Sequence, residues 1–171
     1  ETKTNPEDFP IVPVAKERVL QFSPAAISDS ISNVSKHAAK TEGSHPELAG
    51  IHIKNANGRA RITATDLFRL LSLEVGSKIL KDTEFILAEP KKVSQLLPSL
   101  TGKITLKESA EHIEFEGENG SIVARKWNAK YPDFEKIYPK FKEQLVVSRK
   151  SLADALKELK AFTSSLNDVQ I

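Results

Sequence analysis

Asp66 and Arg69, three residues apart, are the two ionisable side chains whose types and spacing most suggest a chemical role. A carboxylate beside a guanidinium could be a catalytic pair, but the sequence supplies no nucleophile, no glycine-rich phosphate loop and no paired carboxylate to work with it. The alternative is structural, because a short carboxylate can accept hydrogen bonds from nearby backbone N–H groups and fix a corner. That corner would leave Leu67 and Phe68 at an apolar edge beside Arg69, and a turn without a function is the commoner outcome.

The histidines and the missing cysteines offer no second site. His37, His45, His52 and His112 are isolated in the sequence, without the spacing of metal ligands, and the chain contains no cysteine. We therefore expect no enzymatic activity and no metal site, and structural roles for His52 and His112 in strands.

Hydrophobic periodicity predicts the elements that position the corner. The predicted strands are Arg18–Phe22, Leu48–Lys54, Arg59–Thr65, Leu67–Val75, Glu84–Leu87, Lys103–Leu106, His112–Glu116, Ser121–Trp127 and Gln144–Val147. Asn57-Gly58 predicts a hairpin turn between the second and third of them. Three helices are predicted to follow Ser23, Glu89 and Ser148, each with an apolar stripe. The stripes are Ile27, Ile31, Val34, Ala38; Val93, Leu96, Leu97, Leu100; and Leu152, Ala155, Leu156, Leu159, Phe162.

The order of elements repeats along the chain. Pro24, Ile27 and Ile31 have counterparts 66 residues later, and a similar pattern returns at Ser148, 125 residues after Ser23. Two strand-helix-three-strand units, residues 18–75 and 83–127, would form one domain. The predicted fold is α+β, with helices on one face and antiparallel sheet on the other.

Charge is segregated although the formal net charge is only +2. Residues 107–118 carry one lysine against five glutamates, whereas the predicted helices carry a surplus of Lys and Arg. Such a molecule can present a positive face to phosphates while it stays nearly neutral overall.

The composition of the chain and its apolar runs indicate its place in a longer protein and its location in the cell. It contains no Met and opens on a polar stretch, so we expect an internal segment of a longer protein. No apolar run approaches the roughly 18 residues of a membrane span and no signal peptide is visible, which favours a soluble, cytoplasmic protein.

Three motifs resemble those of the bacterial DNA polymerase III β subunit, the sliding clamp. They are Glu47-Leu48-Ala49-Gly50-Ile51, Ala64-Thr65-Asp66-Leu67-Phe68-Arg69-Leu70 and Tyr131-Pro132-Asp133-Phe134-Glu135-Lys136-Ile137-Tyr138-Pro139. They occur in the family's order and at its spacing. The resemblance implies the DNA-clamp fold, with residues 1–14 as the end of a first domain and linker, 15–140 as a complete middle domain and 141–171 as the start of a third.

The resemblance also implies a function. In that family, head-to-tail protomers form a homodimeric ring that encircles duplex DNA without reading its sequence and tethers the replicative polymerase; other polymerases and the clamp loader also bind it. The family carries no cofactor and the clamp loader hydrolyses the ATP. The expected DNA-facing residues are Lys36, Lys40, Lys91, Lys92, Arg149, Lys150 and Lys157. The alternative function is a clamp-like protein-interaction scaffold that does not encircle DNA.

The family binds short partner motifs in a pocket between its middle and third domains. The resemblance places Leu48, Thr65, Leu67, Phe68, Arg69, Leu70, Pro132, Lys136 and Ile137 in the part of that pocket made by this segment. Relatives commonly have a small-polar pair such as Gly-His where this chain has Leu67-Phe68, and often Arg in place of Lys136. The bulkier pair is expected to alter which motif fits.

Overall fold

The computed structural model describes residues 15–40, 45–56, 58–137, 142 and 145–160. The described residues fall into two compact units, the first ending at Pro132 and the second beginning at Asp133. The predicted linker 1–14, Phe162 and the predicted start of a new strand at 169–171 lie outside the described residues. The predicted domain limits at residues 14 and 140 remain predictions.

The first unit has the predicted order of elements. Its strands are β1 (Glu17–Phe22), β2 (Ile51–Ala56), β3 (Arg59–Thr65), β4 (Leu70–Val75), β5 (Lys78–Ile79), β6 (Glu84–Leu87), β7 (Ile104–Glu108), β8 (His112–Glu116) and β9 (Ser121–Trp127). Its helices are α1 (Pro24–Ser35) and α2 (Pro90–Leu96), with short 3-10 helices at Pro46–Ala49 and Leu97–Ser99. Both α-helices begin at a proline, whose fixed φ and missing N–H suit the first helical turn.

The strands form one antiparallel sheet in the order β4-β3-β2-β6-β9-β8-β7-β1-β5. Each repeat therefore gives its first strand to the other, because β1 pairs with β7 and β6 pairs with β2. The two halves of the sheet, β4-β3-β2-β6 and β9-β8-β7-β1-β5, are joined where β6 pairs with β9, which are both strands of the second repeat. The repeats seen in the sequence are thus interlocked and not merely adjacent.

The core lies between the two helices and the sheet. Ile27, Ile31 and Val34 of α1 are fully buried, and Val93 and Leu97 from the second repeat join the same cluster. The helices also pack against each other, and α1 contacts β2, β3 and β4. Two layers with a shared apolar interior follow from the helical stripes and the alternating strands.

Several predicted boundaries are corrected by turn geometry. β2 begins at Ile51 and not at Leu48, since Pro46 starts a 3-10 helix there. β4 begins at Leu70 and not at Leu67, because the Asp66 corner occupies the intervening residues. Leu96 is 53% exposed and so does not belong to the buried stripe of α2, which gives way to a 3-10 helix at Leu97-Pro98. The strand β5 was not predicted.

The second unit contains a 3-10 helix at Phe134–Ile137 and α3 (Arg149–Leu159). Ser148 caps α3 as predicted, since its hydroxyl accepts a hydrogen bond from the Ser151 N–H at 3.3 Å. The strand predicted for 144–147 does not form over residues 145–147. The apolar stripe of α3 is partly exposed within the described residues, with Leu152, Leu156 and Leu159 at 37%, 39% and 42%.

Candidate functional site

The corner between β3 and β4 is built on the Asp66 carboxylate, as the sequence predicted. Its Oδ1 accepts hydrogen bonds from the backbone N–H of Phe68 at 3.1 Å and of Arg69 at 2.8 Å. Its Oδ2 accepts two more from the Arg69 guanidinium, from Nε at 3.1 Å and from Nη2 at 2.7 Å. One carboxylate therefore satisfies both the backbone of the turn and the nearest cation.

Thr65 fixes the same corner from the strand side. Its hydroxyl donates to the Arg69 carbonyl at 2.8 Å and accepts from the Leu67 N–H at 3.1 Å. The Asp66 N–H donates to the same Arg69 carbonyl at 3.2 Å. With these bonds the four residues after β3 are held in one conformation.

The electrostatics of the corner follow from these bonds. Partial burial of Asp66 raises the pKa of its carboxyl, but the hydrogen bonds from the Arg69 side chain and from the Arg69 and Phe68 N–H groups outweigh this and hold the pKa below its usual value. The carboxylate thus stays ionised and neutralises Arg69.

The corner presents apolar side chains to solvent. Phe68 is 94% exposed and Leu67 is 65% exposed. Leu67 has a φ of 76°, a left-handed backbone conformation that residues other than glycine rarely adopt. Backbone strain and an exposed large apolar side chain therefore occur at the same residue, Leu67.

Tyr131 supports the corner from behind, a contact that the sequence did not reveal. Its hydroxyl accepts a hydrogen bond from the Thr65 N–H at 3.1 Å, and its ring stacks on His52 at a centroid distance of 5.0 Å. Burial, helped by the Glu47 carboxylate and opposed by the Thr65 hydrogen bond, raises the pKa of Tyr131 to about 12. His52 in turn bonds Glu84 at 3.0 Å. In the sequence, the one feature that pointed to this contact was an aromatic residue directly before Pro132.

The structure brings together some of the residues expected in the partner pocket. Thr65, Leu67, Phe68 and Arg69 meet at the corner, while Leu48 is only 2% exposed and belongs to the interior. Leu70 is half-buried at the start of β4, and Pro132 is exposed.

The remaining pocket residues lie in the second unit. Lys136 is exposed and pairs with Asp133 at 2.8 Å, and this hydrogen bond and charge raise the pKa of the Lys136 ammonium. The side chain of Ile137 lies outside the described residues.

A basic hollow lies between the end of α1 and the start of α2. It has a volume of about 490 Å³ and is lined by three lysines, Lys40, Lys91 and Lys92, and by Glu89, with alanines and Pro90 forming its apolar part. Lys92 also pairs with Glu89 at 2.5 Å. Three of the seven predicted DNA-facing residues therefore share one concave surface.

The other four predicted DNA-facing residues are exposed, but Lys36 does not lie on a helix as predicted, because α1 ends at Ser35. Lys36 follows α1 and donates to the Asn33 side chain at 3.2 Å. Arg149, Lys150 and Lys157 lie on α3 in the second unit, where Lys157 pairs with Asp154 at 3.3 Å.

The glutamates of the sheet are less available than the sequence indicated. Lys107 pairs with Glu116 at 2.5 Å and lies 3.9 Å from Glu114, and Lys126 pairs with Glu108 at 2.6 Å. These ion pairs reduce the negative charge of β7 and β8 that the linear sequence suggests.

Two classes of site are not found in the part of the chain that the structure describes. No group of three or more His, Asp or Glu side chains there is arranged to hold a metal ion. None of the helices described has the length and apolar composition needed to cross a bilayer.

The sequence is similar to a known family of proteins over most of its length. Residues 22–133 match the family model described as DNA polymerase III beta subunit, central domain. The chain is 26% identical to a beta sliding clamp of Chlamydia pneumoniae, covering 92% of this chain and 44% of that protein. It is 22% identical to a beta sliding clamp of Synechocystis, covering 95% of this chain and 46% of that protein. The chain thus spans less than half the length of these relatives.

A solved structure agrees with the sequence comparison. The DNA polymerase III beta subunit of Thermotoga maritima superimposes with a TM-score of 0.80 at 26% identity, covering 91% of this chain and 43% of that one.

Proposed function

Because the central-domain model matches most of the chain, the chain belongs to the DNA polymerase III beta subunit family, and from that membership we propose that it is the central segment of a DNA sliding clamp. The protein that contains it would close into a homodimeric ring around duplex DNA and act by enclosure, with no chemical step and no cofactor. It would work in the cytoplasm as a processivity factor.

The observation that carries the proposal beyond family membership is the shared hollow of Lys40, Lys91 and Lys92. A surface that slides must attract phosphates without reading bases, since phosphate contacts carry no sequence information. Flexible lysines whose charge is partly offset, as for Lys92 by Glu89, suit transient contacts better than a rigid bidentate grip.

The corner supports the second half of the proposal, which is tethering of partners. Replicative and other polymerases, and the clamp loader, would each insert a short peptide motif beside Leu67, Phe68 and Arg69. Apolar anchors bordered by a few fixed polar groups are typical of peptide sites. Lys136 and Ile137 remain predicted residues of the peptide pocket.

A scaffold that binds proteins at the corner without encircling DNA is the second candidate, favoured by the strong exposure of Phe68. Retention on DNA separates the two functions. The protein that contains this segment is loaded on nicked circular DNA, and half of the sample is then linearised. A ring remains on the circle and slides off the linear form, whereas a scaffold shows no difference between them.

A further inference from the structure

We propose that the cavity between β6 and the end of β9 binds a small aromatic phosphate, such as a nucleoside monophosphate. The cavity is lined by residues 52, 84–86, 110–111 and 125–131, all in the first unit. It includes neither the corner residues 65–69 nor the lysines of the basic hollow. The site is therefore separate from the peptide site and from the DNA-facing surface proposed above.

The cavity exists because β6 and β9 separate after a short contact. Only Ile86 and Leu87 of β6 pair with β9, opposite Trp127 and Lys126. Beyond Trp127 the chain continues to residue 131 without joining a strand, so the start of β6 pairs only with β2 in the described sheet. The space left between the two segments has a volume of about 830 Å³. Small-molecule sites have volumes of roughly 300–1,000 Å³, so the cavity is large enough for a nucleotide.

Aromatic side chains form part of the wall. The rings of His52 and Tyr131 are stacked at a centroid distance of 5.0 Å and an interplanar angle of 7°. The Tyr131 hydroxyl accepts a hydrogen bond from the Thr65 N–H at 3.1 Å, which holds this pair in place. Trp127 also lines the cavity and leaves 37% of its surface exposed. Fixed aromatic surfaces beside open space favour a planar aromatic ligand, because stacking adds to the gain from burying apolar area.

The unpaired charges of the cavity favour an anion. Among the residues that the structure describes, the exposed side chains of Arg125 and Lys130 take part in no ion pair or hydrogen bond. The Glu111 side chain is the one carboxylate of the lining that is likewise unpaired within this part of the chain. Two unpaired cations therefore line the cavity against one unpaired carboxylate, and the surplus positive charge attracts a negative group.

The other charged side chains of the lining already have partners. Glu84 is bonded to His52 at 3.0 Å and to Lys54 at 3.2 Å. Lys126 pairs with Glu108 at 2.6 Å. The guanidinium and the ammonium that remain uncommitted can together bind the three acceptor oxygens of a phosphate, whose charge is also larger than that of a carboxylate. A phosphate attached to an aromatic ring thus matches both parts of the lining.

Isothermal titration calorimetry on the full chain compares three probes that differ in one part each. They are AMP, adenosine, which lacks the phosphate, and ribose phosphate, which lacks the ring. AMP is expected to bind at least about tenfold more tightly than either fragment, since each fragment makes only one of the two kinds of contact. Its affinity should fall as salt is raised, because the phosphate contact is electrostatic. Trp127 is the only tryptophan of the chain, so quenching of its fluorescence by AMP places the ligand in the cavity.

Charge variants assign the phosphate to its partners. Arg125→Gln and Lys130→Gln should each weaken AMP binding by at least about fivefold and leave the fold intact, because both side chains are exposed. Glu111→Gln removes the opposing carboxylate and should strengthen AMP binding by about twofold. Lys91→Gln, which changes the net charge equally at an exposed lysine of the basic hollow, is the matched control and should bind AMP as the parent does.

The fragments and the variants decide the outcome. If adenosine or ribose phosphate binds as tightly as AMP, the phosphate or the ring is not recognised and the assignment is overturned. If Lys91→Gln weakens AMP binding and Arg125→Gln does not, the nucleotide binds in the basic hollow and the proposal is equally overturned. Failure of AMP to bind at all would also overturn it, and would leave the peptide site and the ring function as they stand.

Discussion

At the scale of single residues, the Asp66 corner is the part of the structure that the sequence described best. A carboxylate directly after a strand has few ways to satisfy its acceptors, and the backbone N–H groups two and three residues later are the nearest donors. The position of the carboxylate thus determined the turn. The left-handed backbone of Leu67 was not foreseen, since leucine is not a residue that indicates positive φ.

The first prediction concerns the charge of Asp66. Asp66→Asn should lower the free energy of unfolding by about 1–2 kcal/mol near neutral pH, because an amide cannot accept both bonds from the Arg69 guanidinium as a carboxylate does. The pKa of Asp66 lies below 3.8 in the folded state, so its contribution is complete above 3.8 and is lost as pH falls through the lower folded value. The difference between parent and variant should therefore shrink in acid. Urea unfolding of the parent and the variant, near neutral pH and again in acid, measures this difference. An equal difference under the two conditions would contradict the stabilising role of the ionised Asp66 carboxylate.

The second prediction concerns backbone strain at Leu67. Leu67→Gly should raise the free energy of unfolding by about 0.5–1 kcal/mol, because relief of a left-handed leucine exceeds the extra entropy of glycine in the unfolded chain. Phe68→Gly is the matched control, since Phe68 is also an exposed apolar residue of the corner, even more exposed than Leu67, but has no positive φ. It should be neutral or destabilising in the same thermal unfolding experiment. Equal effects of the two variants would exclude strain at Leu67.

At the scale of elements, local pattern was sufficient where it had no competitor. β8 and β9 have the predicted ends, since no proline or glycine interrupts the runs from His112 to Glu116 and from Ser121 to Trp127. The prediction from local pattern was wrong at the starts of β2 and β4, where a proline and the Asp66 corner respectively interrupt the strand. The exchange of β1 and β6 between the repeats could not be predicted, because pairing between distant strands leaves no mark on the periodicity of either one.

The third prediction tests the junction of the two repeats, where Gly50 precedes β2. A Cβ at this position would lie 2.6 Å from Ile86 Cγ2 and 2.7 Å from the Leu87 carbonyl oxygen, both in β6. Gly50→Ala should therefore lower the free energy of unfolding by about 2–3 kcal/mol, because a backbone oxygen cannot rotate away as a side chain can.

Gly76→Ala is the matched control for the junction, since no atom lies within 4 Å of its added Cβ. It should change the free energy of unfolding by no more than about 0.5 kcal/mol. Denaturant unfolding compares the two variants. Similar stability for both would mean that β2 and β6 are not packed as closely as the structure places them.

At the scale of the whole molecule, charge distribution links fold to proposed function. The sequence suggested acidic strands and basic helices, and the structure modifies the first half of that picture, because Lys107 and Lys126 pair with strand glutamates. The basic half gains support from Lys40 and Lys91, which are far apart in sequence and meet in one hollow. A composition close to neutral is thus compatible with a local positive surface.

The last prediction tests that surface by removing its charge. In the protein that contains this segment, replacing Lys40, Lys91 and Lys92 together by alanine should shorten retention on nicked circular DNA. The dependence of retention on salt should also flatten, by about 0.9 in logarithmic slope for each lysine that contacts phosphate. The matched control replaces Lys78, Lys103 and Lys130, three exposed lysines outside the hollow, and so changes the net charge equally. If both triple variants lose the same retention, overall charge and not the hollow attracts the duplex, because only a local surface distinguishes variants of equal net charge.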